Sequence, residues 1–107
     1  MNNTRLKPDD RKQQILMTAI TIARNSSYLT LTKNQVAKSA GVAGSLVIHY
    51  FKTMTGLKQA VMQYAVDNSD VRLLSQGLAH HDRIALQCDA KAVISVGEYI
   101  KNGGITA

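Results

Sequence analysis

The residue types best suited to catalysis or metal binding lie in one short stretch, residues 80–88. It holds the adjacent pair His80 and His81, followed by Asp82 and Cys88. Adjacent histidines point in different directions on a helix, and the chain has no second cysteine to complete a tetrahedral set of zinc ligands. A lone cysteine without an oxyanion signature is usually a small apolar residue rather than a nucleophile. The stretch therefore predicts no metal site, no cofactor and no enzyme.

A second set of residues, 44–51, suits molecular contact rather than catalysis. Val47 and Phe51 are four residues apart and are expected to share the buried face of a helix. The other side chains are short, polar or flat, which suits a helix that lies in a major groove of DNA with its first residues near base edges. They belong to Gly44, Ser45, Leu46, Ile48, His49 and Tyr50.

Several of these residues have more than one interpretation. Leu46 and Ile48 can contact thymine methyl groups, but an exposed apolar pair can equally be a protein-binding patch. His49 can donate to a phosphate or simply face the groove. The ring of Tyr50 can pack under the helix while its hydroxyl reaches a phosphate.

A shorter helix is expected to position this one. Thr32 is a good N-cap, and Gln35 three residues later completes a capping box. Gly41 permits the left-handed conformation that ends a helix in a sharp turn. The apolar face between these two points comprises Val36, Ala37 and Ala40. Residues 32–51 thus predict two helices joined by a tight turn, which is the helix-turn-helix arrangement.

Helical spacing of apolar residues marks three further segments. Residues 8–25 begin with a proline and two acidic residues, which favour a helix start. Residues 54–66 follow Thr53, a good cap, and a short helix from Val71 is expected to end at Gly77 or soon after.

The last apolar segment admits two structures. Residues 89–101 can form a helix capped by Asp89, while 92–96 alone can form a strand. The helix is favoured because no second strand is evident. The sequence therefore predicts an all-α fold: a flexible basic arm at 1–7, a helix-turn-helix DNA-binding domain with a connecting helix at 8–66, and a small helical dimerisation region at 67–107.

Length and composition limit the classes of protein to consider. The 107 residues can build one small core. No apolar run approaches membrane length, and the N-terminus lacks the apolar core of a signal peptide. A single cysteine is consistent with a reducing compartment, so we expect a cytoplasmic protein without membrane contact.

The formal net charge of +6 is unevenly distributed. Residues 1–60 carry nine basic and two acidic residues, whereas residues 61–107 carry four basic and five acidic ones. The positive field thus lies on the half that holds the helix-turn-helix. This distribution favours a phosphate-backbone partner over an ordinary solvated basic surface.

The helix-turn-helix region also resembles the DNA-binding domain of the tetracycline-repressor family. The resemblance covers roughly residues 10–62, and the lengths of the gaps match as well as the residue types. The residues that carry it are Ala40-Gly41-Val42, Leu46-Val47-Ile48-His49-Tyr50-Phe51 and Gly56-Leu57.

Two positions depart from the family pattern. Ala43 stands where Ser or Thr is usual, so a helix cap and a phosphate contact are lost. Met54 stands where Lys is usual, which removes another expected phosphate contact.

The resemblance implies two sets of DNA-binding residues, with which the residue pattern and the charge distribution are compatible. Phosphate contacts are expected from Thr32, Lys33, Asn34, Tyr50, Lys52 and Lys58. Contacts to base edges are expected from Gly44, Ser45, Leu46, Ile48 and His49.

We therefore expect a transcriptional repressor that acts as a homodimer. Two recognition helices would enter successive major grooves of a pseudo-palindromic operator and block polymerase. Two other classes remain open: a protein-interaction module on the same fold, such as an anti-repressor or cell-division regulator, and a small metal-dependent enzyme that uses the histidine cluster at residues 80–88. Salt-dependent binding to random duplex DNA separates the first from the repressor, and metal analysis tests the second.

The C-terminal part is short for this family, whose members usually carry a large helical ligand-binding domain. About 40 residues follow the fourth predicted helix, too few for an enclosed cavity of about 300 Å³. We expect no small-molecule inducer, as suits a compact plasmid or phage regulator. A two-fold dimer interface is expected instead, unless its residues only cover the monomer's own core. The predicted interface consists of Val93, Ile94, Val96, Gly97 and Ile100.

Overall fold

A computed structural model describes residues 7–103. The helices are α1 (Pro8–Asn25), α2 (Lys33–Ala40), α3 (Gly44–Phe51), α4 (Met54–Asn68), α5 (Val71–Ala79) and α6 (Ala90–Lys101), with short 3₁₀ turns at Tyr28–Thr30 and Ala85–Gln87. No strand occurs within the described range, so the all-α prediction is confirmed. The predicted arm lies outside the described residues except for Lys7.

Hydrogen bonds from side chains to the backbone set the starts of most helices. The Thr32 hydroxyl accepts from the Gln35 amide at 3.1 Å, and the Gln35 side chain accepts from the Thr32 amide at 3.4 Å, which confirms the capping box. Thr53 accepts from the Gly56 amide at 2.9 Å and caps α4 as predicted. Asp89 caps α6 through the Ala92 amide at 2.8 Å. Each such cap contributes about 1 kcal/mol.

One of two predicted helix ends differs from the structure. Helix α4 continues to Asn68, two residues past the predicted end. Helix α5 ends at Ala79, which agrees with the predicted end at Gly77 or soon after, and Gly77 lies in its last turn, where α5 meets α4 and the second 3₁₀ turn. A methyl group added at Gly77 would lie 2.6 Å from the Ala85 Cβ and 2.7 Å from the Met62 Sδ. Glycine is therefore required there by close packing, not by a turn.

The helix-turn-helix and the C-terminal helices share one hydrophobic core. Ile15 of α1, Val47 of α3 and Leu57 of α4 are fully buried in it, and so are Leu73 and Leu74 of α5. Helix α6 adds Ala92 and Val96, which are 4% and 3% exposed. The placement of Val96 in a dimer interface was therefore wrong, because the residue points into the monomer's own core. No helix within residues 7–103 is long and apolar enough to cross a membrane.

Polar contacts also join the two halves of the chain. The Arg24 Nε donates to the Asp70 Oδ2 at 2.8 Å, and this hydrogen bond raises the pKa of Arg24. The Tyr28 hydroxyl donates to the Asp82 carboxylate at 2.7 Å. Burial, with this hydrogen bond, raises the pKa of Tyr28, so the phenol stays protonated. These contacts hold α5 and the 82–85 segment against the end of α1.

Candidate nucleic-acid interface

The turn between α2 and α3 sets the angle of α3. Gly41 has φ 71° and ψ 34°, the predicted left-handed conformation. The Val42 amide then donates to the Ala37 carbonyl at 3.0 Å, which satisfies one of the last carbonyls of α2. From α1, the Gln14 side-chain amide donates to the Ala40 carbonyl at 3.2 Å. The end of α2 is therefore held from two sides.

Packing decides which side of α3 faces outwards. Val47 is fully buried and Phe51 is 7% exposed, as their spacing predicted. Leu46 and Tyr50 are half-buried against the core. Of the other predicted contact residues, Ser45 and His49 are exposed, and Ile48 is half-buried but is not packed against the core. They follow one another at helical spacing and form what we call the outward face of α3.

The start of α2 lies beside the start of α3. A methyl group added at Gly44 would lie 3.1 to 3.4 Å from the side-chain carbons of Lys33, so this lysine runs across the first turn of α3. Its neighbours Thr32 and Asn34 are exposed. The structure thus brings predicted phosphate-contacting residues next to residues predicted to read bases.

Helix α3 begins without a side-chain cap. Ala43 occupies the N-cap position, and its methyl group cannot accept a hydrogen bond. The first amides of a helix have no partner within the helix and carry partial positive charge. At the start of α3 they can serve an anionic group instead. A Ser or Thr cap would occupy one of these amides. Alanine at position 43 therefore leaves the amides free for an anion, although the phosphate contact of a hydroxyl side chain is lost.

The junction of α3 and α4 is a tight turn centred on Lys52. This residue has φ 71° and ψ −51°, and the Thr53 amide donates to the Phe51 carbonyl at 2.8 Å across it. A three-residue turn of this hand is strained for a residue with a side chain. Gly56 permits the turn, since a methyl group there would lie 2.3 Å from the Phe51 oxygen. The side chain of Lys52 is exposed at the end of the outward face.

Lys58 has a protein partner. Its Nζ donates to the Leu29 carbonyl at 2.8 Å, which ties α4 to the turn that precedes α2. A lysine ammonium has three donors, so this bond leaves two for other partners. The phosphate contact of Lys58 remains a prediction. The hydrogen bond to Leu29 shows that the residue also has a structural role.

Lys12 makes a contact that the sequence does not predict. Its ammonium lies 5.5 Å from the centroid of the Phe51 ring, at the C-terminal end of α3. A lysine is favourable at that end of a helix dipole and over an aromatic face. The sequence shows no signal for this contact, because the two residues are distant in the chain.

The cluster considered first for metal binding forms no site in the described residues. Across residues 7–103, no group of three or more His, Cys, Asp or Glu is arranged to hold a metal ion. His80 and His81 are exposed, and Cys88 is half-buried. Asp82 is occupied by the Tyr28 hydroxyl and by the amides of Ile84 and Ala85.

The helices of the described residues are consistent with the N-terminal helix-turn-helix domain of the tetracycline-repressor family. The chain is 32% identical over 73 residues to the HTH-type transcriptional regulator BetI of Serratia proteamaculans (strain 568). The matched region covers 66% of this chain and 37% of that protein, so the chain spans little more than a third of this curated relative. The match confirms the resemblance: the chain is distantly related to the tetracycline-repressor family. No protein-family model and no solved structure matches the chain significantly.

Proposed function

We propose that this protein is a sequence-specific repressor of transcription that binds double-stranded DNA. Its relationship to a transcriptional regulator points to DNA-binding regulation without enzymatic activity. The observation that carries the proposal is the position of Lys33, whose side chain lies against Gly44 in the first turn of α3. A cationic side chain for the phosphate backbone and an open helix face for base edges are thereby presented on the same side.

The two predicted sets of contacts can be assigned to this surface. Thr32, Lys33 and Asn34 at the start of α2 are proposed to hold phosphates, with Lys52 at the end of α3 on the opposite side of the groove. Ser45, Ile48 and His49 are proposed to face bases. Leu46 and Tyr50 are half-buried, and the exposed parts of their side chains are proposed to contact DNA as well.

The second part of the proposal is a homodimer on a pseudo-palindromic operator. Helix α6 presents a stripe of exposed apolar residues: Val93 and Ile100 are each 48% exposed and Ile94 is 63% exposed. Gly97 belongs to the same stripe, and a methyl group there would meet no atom within 4 Å among the described residues. A contiguous apolar stripe with a small residue in it suits close packing against a second helix of the same kind.

Exposed charges beside the stripe are compatible with a two-fold pairing. Lys91 and Glu98 are both exposed and lie seven residues apart on α6, so they occupy nearly the same side of the helix. In an antiparallel pair of α6 helices, Lys91 of one copy can face Glu98 of the other, and the reverse contact follows by symmetry. The dimer would then present two copies of α3 to one duplex.

The third part is that release from DNA needs no small-molecule inducer. Two hollows formed by the described residues, of about 380 and 330 Å³, are open to solvent. The larger is lined mainly by polar side chains, including Arg24, Arg72 and His80. Small-molecule pockets are mostly apolar and enclose most of the ligand, and neither hollow has this form.

Binding to duplex DNA at several salt concentrations tests the main proposal. The purified protein should retain specific fragments from a random duplex pool, and its affinity for random DNA should fall steeply as salt is raised. Lys33→Ala should weaken binding to specific and random DNA alike, whereas Lys101→Ala on α6 is the control and should change neither. Binding that does not depend on salt, or that Lys33→Ala leaves unchanged, would refute the proposal.

A protein-interaction module remains the second candidate because of one observation. Leu86 is 57% exposed close in sequence to the α6 stripe, so the C-terminal half presents more apolar surface than a monomer needs. A chain with this function would bind a protein partner while showing no salt-dependent affinity for DNA.

A further inference from the structure

The outward face of α3 lacks the side chains that make bidentate contacts to bases. Residues 44–51 contain no Arg, Lys, Asn, Gln, Asp or Glu. Bidentate recognition of guanine uses Arg or Lys, and that of adenine uses Asn or Gln. Ser45 and His49 can make single hydrogen bonds only. Hydrogen bonding from this helix therefore discriminates weakly between base pairs.

Ile48 supplies the apolar part of the same face. Leu46, the other aliphatic candidate, packs against the hydrophobic core, whereas Ile48 is partly exposed and is not among the residues that contact it. A β-branched side chain in a helix has one strongly preferred χ1 rotamer. Ile48 thus holds its methyl groups in a defined direction, between Ser45 and His49, before any ligand is bound.

Thymine offers the matching group. In the major groove, the C5 methyl of thymine is the apolar feature that distinguishes one base from the others. We infer that Ile48 recognises a thymine in each half-site through this methyl group, and that the operator is read there by apolar contact rather than by paired hydrogen bonds. The inference rests on the proposed function and specifies which base chemistry the recognition helix selects.

The size of the effect follows from the area of one methyl group. Replacing that thymine by deoxyuridine removes only the methyl and leaves every hydrogen-bonding group in place. Burial of one such group corresponds to roughly a three- to fivefold change in affinity. Replacement in both half-sites of a two-fold operator should therefore weaken binding by roughly 10- to 25-fold.

The experiment uses the full chain and the duplex recovered from a random pool. Each thymine in a half-site is replaced in turn by deoxyuridine, symmetrically in both half-sites, and affinity is measured for the wild type, Ile48→Ala and His49→Ala. One position should show the loss for the wild type and for His49→Ala, which keeps Ile48. Ile48→Ala should bind the thymine and deoxyuridine duplexes equally, and circular dichroism checks that each variant is folded.

A second arm isolates the methyl group from the rest of the base. The sensitive thymine·adenine pair is replaced by cytosine·guanine, with and without a 5-methyl group on the cytosine. The wild type should recover part of the lost affinity when the methyl is present, and Ile48→Ala should not.

The inference is overturned if no thymine is sensitive to replacement, or if Ile48→Ala loses as much affinity as the wild type at the sensitive position. Either result leaves the proposed function intact. If no duplex is retained from the pool at any salt concentration, the proposed function fails, and the assignment of Ile48 fails with it.

Discussion

Helices α3 and α6 both expose apolar side chains, but in different surroundings. On α3 a single isoleucine, Ile48, lies between a serine and a histidine, on the half of the chain with nine basic and two acidic residues. On α6 the exposed residues Val93, Ile94 and Ile100 are contiguous, on the half with four basic and five acidic residues. An isolated apolar group in a positive field suits a polyanion with scattered methyl groups, whereas a stripe without excess charge suits another protein surface. Ile48 is also only partly exposed, whereas the three α6 residues are 48 to 63% exposed, so the two helices are expected to meet different partners.

The largest expected effect concerns α6. Ile94→Asp should break the proposed dimer and weaken specific DNA binding by about 100-fold or more, because two linked binding modules gain affinity from each other. Thr21→Asp adds the same charge on the exposed side of α1 and should change neither property. Light scattering gives the mass, and operator titration gives the affinity. A wild type that is monomeric both free and on DNA would contradict the proposal that α6 forms a dimer interface.

The next effect concerns the junction that sets the angle of α3. Gly56→Ala should lower the free energy of unfolding by about 1 to 3 kcal/mol, since the added methyl would lie 2.3 Å from the Phe51 oxygen. Gly97→Ala on α6 is the matched change, because the methyl meets no atom within 4 Å of it among residues 7–103. That variant should be up to about 1 kcal/mol more stable as a monomer. Denaturant unfolding measures both, and equal effects would contradict the structural distinction between the two glycines.

His49 tests whether the outward face of α3 reads sequence. His49→Ala removes one hydrogen bond and should cost about 0.5 to 1.5 kcal/mol at the operator, with a modest loss of preference at one position in each half-site. The same variant should bind random DNA nearly as well as the wild type does. Equal losses on operator and random duplexes would mean that His49 positions the protein and does not discriminate bases.

The smallest effect separates two roles of Lys58. If its ammonium contacts a phosphate, Lys58→Ala should weaken specific and random binding alike and reduce the slope of log affinity against log salt by about one. If it only bonds to the Leu29 carbonyl, the slope should stay the same and the unfolding free energy should fall by about 1 kcal/mol. Lys101→Ala at the end of α6 is the control for a lost surface charge.

Interactions within a few residues could be predicted from the sequence. The capping box of Thr32 and Gln35, the left-handed Gly41 and the burial of Val47 and Phe51 all appear as expected. Each depends on residues three or four positions apart, and helix geometry alone brings such residues together. Residues 92–96, which could have been helix or strand, are helical beyond the cap at Asp89.

Contacts between distant segments were decided only by the tertiary structure. The Lys58 bond to Leu29 and the Lys12 contact with the Phe51 ring join residues 29 and 39 positions apart. The close approach of Met62 and Ala85 is the reason that position 77 requires a glycine. Periodicity shows that a helix has a buried side, but the width of that side depends on what packs against it. The neighbours of α3 therefore determined that Leu46 turns partly inward and Ile48 stays outward.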